Sequence, residues 1–345
     1  MNPPRPSASA AVSAIILTYN RQDLLPVCLA SVQQALANVQ GLTEIVVVDN
    51  ASPGNVATTL IASICPEAVL VTLATSQGFS GGVEAGLEVA TGEWILMIGD
   101  DATVEPNAVN KMLAAGLSAS RIGSVAAKML FADRSHGSVI NSAGIEIDRL
   151  GTASDRLVGE PEWAGETETT EVFGTSGGGA LYRRAMLDEI GGFDATFGVY
   201  LEDADIAWRA RSAGWRCLYE PAAIVHHHHS ATTRERSDYK YFHVGRNRVR
   251  VLAKNATSRH LIRWAPLMVL YDLAYVAYAL VMDRSTAPLR GRIAGLREWR
   301  LYRATRSQRR DVELAPARGL WRALRRKTSV VAHRSKEAGA SGPRS

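Results

Sequence analysis

The chain holds 345 residues, 46% hydrophobic and 21% charged, with a formal net charge of +5. That is long enough for one large domain or two smaller ones, and too ordinary in composition for a fibrous or wholly disordered chain. The charge is uneven: residues 284–345 carry 17 Lys/Arg against 4 Asp/Glu, so an acidic body bears a basic tail suited to an anionic surface, membrane or nucleic acid.

Residues 1–10 are rich in Pro, Ser and Ala and are expected to be disordered; they hold no apolar signal core, so nothing points to export. A strand is predicted at residues 11–17, ending in Thr18, Tyr19, Asn20 and Arg21. A helix follows, with Leu25, Cys28, Leu29, Val32 and Leu36 at helical spacing. Residues 44–48 form the second strand, closed by Asp49 and Asn50. Next come a helix at 55–64, a strand at 68–73, a glycine loop at 78–82, a helix at 83–90 and a strand at 94–98. This alternation predicts a mostly parallel sheet with helices on both faces. The apolar run 94–98 stops at Gly99, Asp100 and Asp101, and Glu105-Pro106 suits the first turn of a helix.

The middle is less regular. Strands are expected at 125–131 and 140–147, a polar loop at 151–170, a glycine-rich strand around 171–183 with Gly177, Gly178 and Gly179, and a short helix to Ile190. A loop at 193–199 leads to a helix at 201–213, opened by Glu202 and Asp203. Short strands at 215–219 and 222–225 precede four histidines, 226–229. The last third is helical: a basic helix at 239–254, then the strongly apolar 261–282, interrupted by Arg263, Pro266 and Asp272. Its aromatic residues are spread along it, which favours an in-plane or re-entrant membrane contact over a spanning helix; a buried bundle helix or a homo-oligomer interface is the alternative. The three cysteines, Cys28, Cys65 and Cys217, form no CxxC and read as reduced thiols of a cytoplasmic protein.

On a parallel sheet, ligands bind outside the carboxyl ends of the strands, so Tyr19, Asn20, Asp49, the 78–82 glycines and Asp100-Asp101 cluster in space. Two adjacent acids repel each other unless a cation or protons neutralise them. A hard divalent metal holding a diphosphate accounts for the pair; a turn plus a helix cap is the plainer account. A dinucleotide-binding oxidoreductase is excluded by position, because its glycines would follow the first strand, and here they follow the third.

ILTYNR, EIVVVDNAS, SQGFSGG, IGDDATVEP, GGFDATFGVYLEDADIAWRARSAGW and HHHHSAT, in this order, resemble the family 2 inverting glycosyltransferases, most nearly their rhamnosyltransferase-like branch. The resemblance covers residues 12–255. It implies a GT-A fold of α/β class, with a nucleotide-binding half (11–104) and an acceptor-binding half (105–235); the apolar and charge pattern beyond it predicts a C-terminal helical membrane-associating region (236–310) and a basic, disordered tail (311–345). It implies a nucleotide-sugar donor touched by Thr18, Tyr19, Asn20, Asp49, Gly78, Gly81, Asp100 and Gly178. Mg2+ or Mn2+ would be held by Asp101 and His227, with His228 the next choice. Asp203 would be the general base, and Glu202, Asp205 and Arg246 would serve the acceptor or support the site. A carboxylate base is what an acceptor hydroxyl needs, being a poor nucleophile until its proton is taken. The family's acid motif begins with Asp or Asn where this chain has Gly99, and Glu84 stands where the family has Asn; both departures also suit a non-catalytic module on the same fold. The expected acceptor is a lipid-linked or polysaccharide chain at an anionic membrane surface on the cytoplasmic side. Nucleic acid is not expected, since the tail lacks the interleaved aromatic residues of a stacking platform.

Overall fold

The computed structural model of the protein describes residues 11–133, 137–228, 236–306 and 311–317. The expected N-terminal disorder, His229 and the tail beyond residue 317 lie outside the described residues. The first half alternates as the periodicity predicts: β1 (Val12–Thr18), α1 (Leu25–Ala37), β2 (Thr43–Asp49), α2 (Val56–Ile64), β3 (Val69–Thr72), α3 (Gly78–Val89) and β4 (Trp94–Gly99). Then come β5 (Ala102–Val104), α4 (Ala108–Leu117), β6 (Ile122–Phe131), β7 (Ile140–Ser142), β8 (Ile145–Ile147), β9 (Ala153–Asp155), β10 (Thr170–Val172), β11 (Gly179–Arg183), α5 (Arg184–Ile190), α6 (Glu202–Ser212) and β12 (Arg216–His227). The chain continues through α7 (Asp238–Asn255), α8 (Ser258–Asp283), α9 (Ala287–Arg297) and α10 (Trp299–Ala304).

The main sheet runs β10-β12-β6-β11-β4-β1-β2-β3, with β5 added to β12 and β7 to β6. β1, β2, β3 and β4 are mutually parallel, β11 is antiparallel between β4 and β6, and β12 returns parallel to β6. The central strands are near-continuous apolar runs because both faces are covered. α1, α2 and α4 bury one face, and α3, α5 and α6 the other.

Three local expectations change. The glycines at 78–82 are the first turns of α3 itself, not a loop before it. The helix lies so close to β1 that a Cβ at Gly82 would fall 2.4 Å from Leu17 Cδ1, so small residues are needed there. The segment after Asp101 forms β5 before its helix starts at Ala108, because it pairs with the end of β12. The two short strands before the histidines are one strand, β12, with an irregularity between Glu220 and Ile224.

The C-terminal helices pack on the catalytic body through the far side of α6: Trp208, Phe197, Val251, Leu252, Met268 and Tyr302 share one buried cluster. α8 is a single helix of 26 residues, long and apolar enough to cross a membrane by length and composition. Only Met268 and Ala279 of it are buried. Its interrupting acid turns inward, where Asp272 accepts from Arg248 of α7 at 2.6 Å and Arg292 of α9 at 2.7 Å. Ile262, Leu270, Leu273 and Val281 turn outward and are exposed.

Candidate active site

The strand register lines up the residues at the sheet's carboxyl edge: Thr18 pairs with Asp49, and Leu17 with Gly99. Asn20 adopts φ 55°, and its N–H donates to Ser52 Oγ at 2.8 Å. Buried Asp49 accepts from the Ser52 N–H at 2.9 Å, so the two loops after β1 and β2 meet on Ser52. Tyr19 is exposed over this edge. Asn50 ties the β2 tip to the start of α3, donating to the Gly78 carbonyl at 3.1 Å and accepting from the Gln77 N–H at 2.9 Å. Gly78 and Gly81 have packing reasons to be glycine: a Cβ would meet the Gly198 backbone at 2.8 Å and Gln77 at 2.7 Å respectively.

The two acids part company. Asp100 is buried and turned toward β1, accepting from the Tyr19 N–H at 3.3 Å and from the Thr18 side chain. Burial pushes its carboxyl up to about 6, with the Asp101 charge adding to the rise. Asp101 turns the other way, its Oδ1 3.2 Å from His227 Nε2. Burial raises its carboxyl, but the His227 hydrogen bond and charge outweigh that and hold it below the usual carboxylate range. Gly99 makes room: a Cβ there would sit 2.8 Å from Asp101 Oδ1. Pairing of β5 with β12 sets the meeting, aligning Ala102 with His227, while the His228 N–H donates to the Asp101 carbonyl at 2.8 Å.

The histidines separate as an alternating strand requires. His226 faces Glu105 at 3.1 Å, and His228 is exposed. His227 Nδ1 lies 3.1 Å from Asn141 Oδ1 of β7, a contact that fixes the ring with Nε2 toward the Asp101 carboxylate. A proton on Nε2 joins the two atoms here; once it is released, an imidazole nitrogen and a carboxylate oxygen at this separation are a donor set that fits a divalent ion. Among the described residues no group of three His, Cys, Asp or Glu converges. The protein would therefore supply two ligands and leave the remaining positions of a hard cation to a ligand's oxygens and water.

Opposite stands the α6 N-terminus. A Cβ on Gly178 would lie 3.8 Å from His227 Nε2, and one on Gly177 3.9 Å from Glu202 Oε1 and 3.2 Å from the Phe79 ring. Two glycines without side chains thus lie between the His227–Asp101 pair and Glu202, which feels the charge of its neighbour Asp203. Glu202 is nine-tenths buried, and its Oε2 has no hydrogen-bond partner among the described residues. Asp203 is partly buried and caps the Ala204 N–H at 2.7 Å. Burial raises both carboxyls, with Asp155 of β9 adding to the rise at Asp203 and Asp203 to that at Glu202.

Asp205 does not join them. It is 1% exposed and takes Arg209 at 2.8 Å, Lys254 at 3.0 Å and Asn255 at 2.8 Å, bolting α6 to α7. Arg246 is likewise engaged elsewhere, with the Phe197 carbonyl at 3.2 Å and His243 at 3.1 Å. Glu84 accepts from the Phe193 N–H and so holds the turn before the 195–201 segment. Gly99 and Glu84 thus each have a structural role here. Asn141 and Asp155 were not foreseen: both come from the irregular middle of the sequence, where no motif marks them.

The model of glycosyl transferase family 2 matches residues 13–191, more than half of the chain, and ends before the Glu202-Asp203 and histidine segments. N-acetylglucosaminyl-diphospho-decaprenol L-rhamnosyltransferase of Mycobacterium tuberculosis is 27% identical over 164 residues, 44% of this chain and 52% of that protein. Pre-mycofactocin glycosyltransferase of the same species is 30% identical over 154 residues, 43% of this chain and 31% of that protein. The matches thus span about half or less of these relatives. Among solved structures, GalNAc-T7 with UDP, GalNAc and Mn2+ superposes with TM-score 0.57 at 17% identity, over 72% of this chain and 48% of the other. The mannosyltransferase PcManGT of Pyrobaculum calidifontis, with GDP-Man and Mn2+, gives TM-score 0.50 at 19% identity, over 88% and 86%. The sheet, the ordered strand-tip motifs and the family match agree: the chain belongs to glycosyl transferase family 2, has the fold of GT-A glycosyltransferases and is similar over part of its length to a rhamnosyltransferase.

Proposed function

We propose that this enzyme transfers a sugar with inversion from a nucleotide-sugar, rhamnose from dTDP-rhamnose being the leading donor, to a lipid-linked or polysaccharide acceptor. The observation that carries this is the glycine floor at 177–178, with Asp101 and His227 at one end and Glu202, next to Asp203 at the start of α6, at the other. Thr18, Tyr19, Asn20 and Asp49 line the edge where the nucleoside would lie. Gly178 lets a sugar approach the backbone between the two ends. Asp203 accepts the proton of the attacking hydroxyl as its oxygen bonds to the anomeric carbon. The bond to the diphosphate breaks on the opposite side, which inverts that carbon. Mg2+ or Mn2+ on Asp101 and His227 would supply charge stabilisation for the departing diphosphate. Glu202, carrying a proton near neutrality, donates a hydrogen bond to a sugar hydroxyl rather than competing as base.

The M. tuberculosis relative's name specifies a diphospho-polyprenol acceptor, and the outward face of α8 offers an apolar surface for such a substrate's membrane. We place the enzyme at the cytoplasmic face, held by this helix and the basic tail together, since stable peripheral attachment needs two signals. The test is turnover and thermal stabilisation with a panel of nucleotide-sugars plus Mg2+ or Mn2+, for the wild type and Asp203→Asn. The wild type should turn over one donor, and Asp203→Asn should bind that donor without turnover. A near-normal rate in Asp203→Asn would remove Asp203 as base.

A further inference from the structure

We infer that Asn247 of α7 is a positioning residue for the base: its amide holds the turn from which Asp203 is aimed, so transfer depends on it and donor binding does not. This rests on the reading of Asp203 as base.

The turn before α6 is an unfavourable one. Tyr200 and Leu201 are consecutive non-glycine residues at φ 69° and 66°, in the left-handed region that L side chains rarely adopt. Leu201 is also the N-cap of α6, and its apolar side chain makes no cap hydrogen bond. Such a backbone persists only where its surroundings over-determine it. Asn247 is the group that does so. Its side chain is fully buried, and its Nδ2 lies 2.9 Å from the Phe197 carbonyl, 2.9 Å from that of Val199 and 2.8 Å from that of Tyr200. Its Oδ1 accepts from Arg246 Nε at 3.1 Å, which orients the amide with its donors toward the turn.

Other α7 cations hold earlier points of the same segment. Arg250 donates to the Thr196 carbonyl at 2.6 Å, and Lys254 pairs with Asp194 at 2.6 Å. Asn247 reaches the carbonyls of Val199 and Tyr200, next to Glu202 and Asp203. An amide suits this place. Two N–H donors can serve converging carbonyl oxygens, whereas a carboxylate of the same shape would repel them. Releasing the turn would let the start of α6 re-aim and admit water to Asp203. The edge formed by Tyr19, Asn20, Asp49 and Asp101 belongs to other elements and would stay in place.

The experiment compares full-length Asn247→Ala and Asn247→Ser with wild type and with Asp203→Asn, on the donor and acceptor pair the wild type turns over. Donor affinity is measured by calorimetry, and kcat across pH. For Asn247→Ala we expect kcat to fall about 100-fold, the scale of a misplaced reacting group, with donor affinity changed by less than about threefold. The acid limb of the profile should move to lower pH, because a solvated Asp203 titrates closer to an ordinary carboxylate. Asn247→Ser, which keeps one donor, should fall between. Near-wild-type kcat in Asn247→Ala, an unmoved acid limb, or donor affinity lost in step with kcat would overturn the inference. So would failure of both variants to fold, which would make Asn247 a general fold contact. Turnover by Asp203→Asn would instead refute the base assignment itself.

Discussion

Gly99 offers a prediction that runs against the motif. The family's acid cluster begins with an acid or Asn where this chain has glycine, so restoring Asp there looks like a repair. The geometry says otherwise. A Cβ at residue 99 would lie 2.8 Å from Asp101 Oδ1, whereas ordinary contact begins at 3.4 Å. The carboxylate must retreat by about 0.6 Å, three times the roughly 0.2 Å tolerance of a metal–ligand distance. Because the displaced atom is the end of a side chain, and Gly99 lies outside the left-handed region, the fold should absorb the change within about 0.5 kcal/mol. Metal affinity should not. Gly99→Ala and Gly99→Asp should each weaken Mn2+ binding about tenfold, close to 1.4 kcal/mol. The assay is Mn2+ titration by electron paramagnetic resonance with a nucleoside diphosphate present, paired with thermal unfolding. Unchanged titration midpoints in both variants, with melting also unchanged, would refute Asp101 as the ligand. Tighter binding in Gly99→Asp would show that the cluster takes a third acid as a further ligand.

Glu202→Gln should stabilise the fold more at pH 8 than at pH 5. Its carboxyl is raised from 4.5 to about 8 by burial and Asp203, so the folded state holds a proton that the unfolded state releases above 4.5. The wild type thus loses stability as pH rises through that window, and the amide does not; equal shifts in melting temperature at the two pH values would contradict this. His227→Ala should weaken metal dependence of turnover by about tenfold or more, and His226→Ala by far less, since His227 faces Asp101 and His226 faces Glu105. Equal losses at the two positions would mean that the strand register does not choose the ligand. Full-length protein should sediment with anionic liposomes, be released in part by high salt, and sediment less when Leu270 and Leu273 are both changed to Glu. Indifference to liposomes at any salt would remove the membrane reading of α8.

The sequence by itself determined what is local. Buried strands such as β1, β2 and β4 announce themselves as apolar runs, and their ends fall where polar residues interrupt them, so Thr18, Asp49 and Asp101 could be placed at one sheet edge before any coordinates. The alternation of β12 likewise foretold that neighbouring histidines would face opposite ways. What the sequence could not carry is contact between distant segments. Asp100 and Asp101 are equivalent as letters; burial against β1 turns one inward, and the pairing of β5 with β12 brings the other to His227. Glu202, Asp203 and Asp205 sit within one helical turn, yet only the packing of α7 shows that Asp205 is spent on Arg209, Lys254 and Asn255 while Glu202 turns to the glycine floor. Asp272 reads as an interruption of an apolar helix until α7 and α9 place Arg248 and Arg292 on it. Asn247 is one polar residue in a basic helix until the fold brings three carbonyls of a distant turn to its amide. Periodicity reports which way a residue faces along its own element, and tertiary contact decides what it meets there.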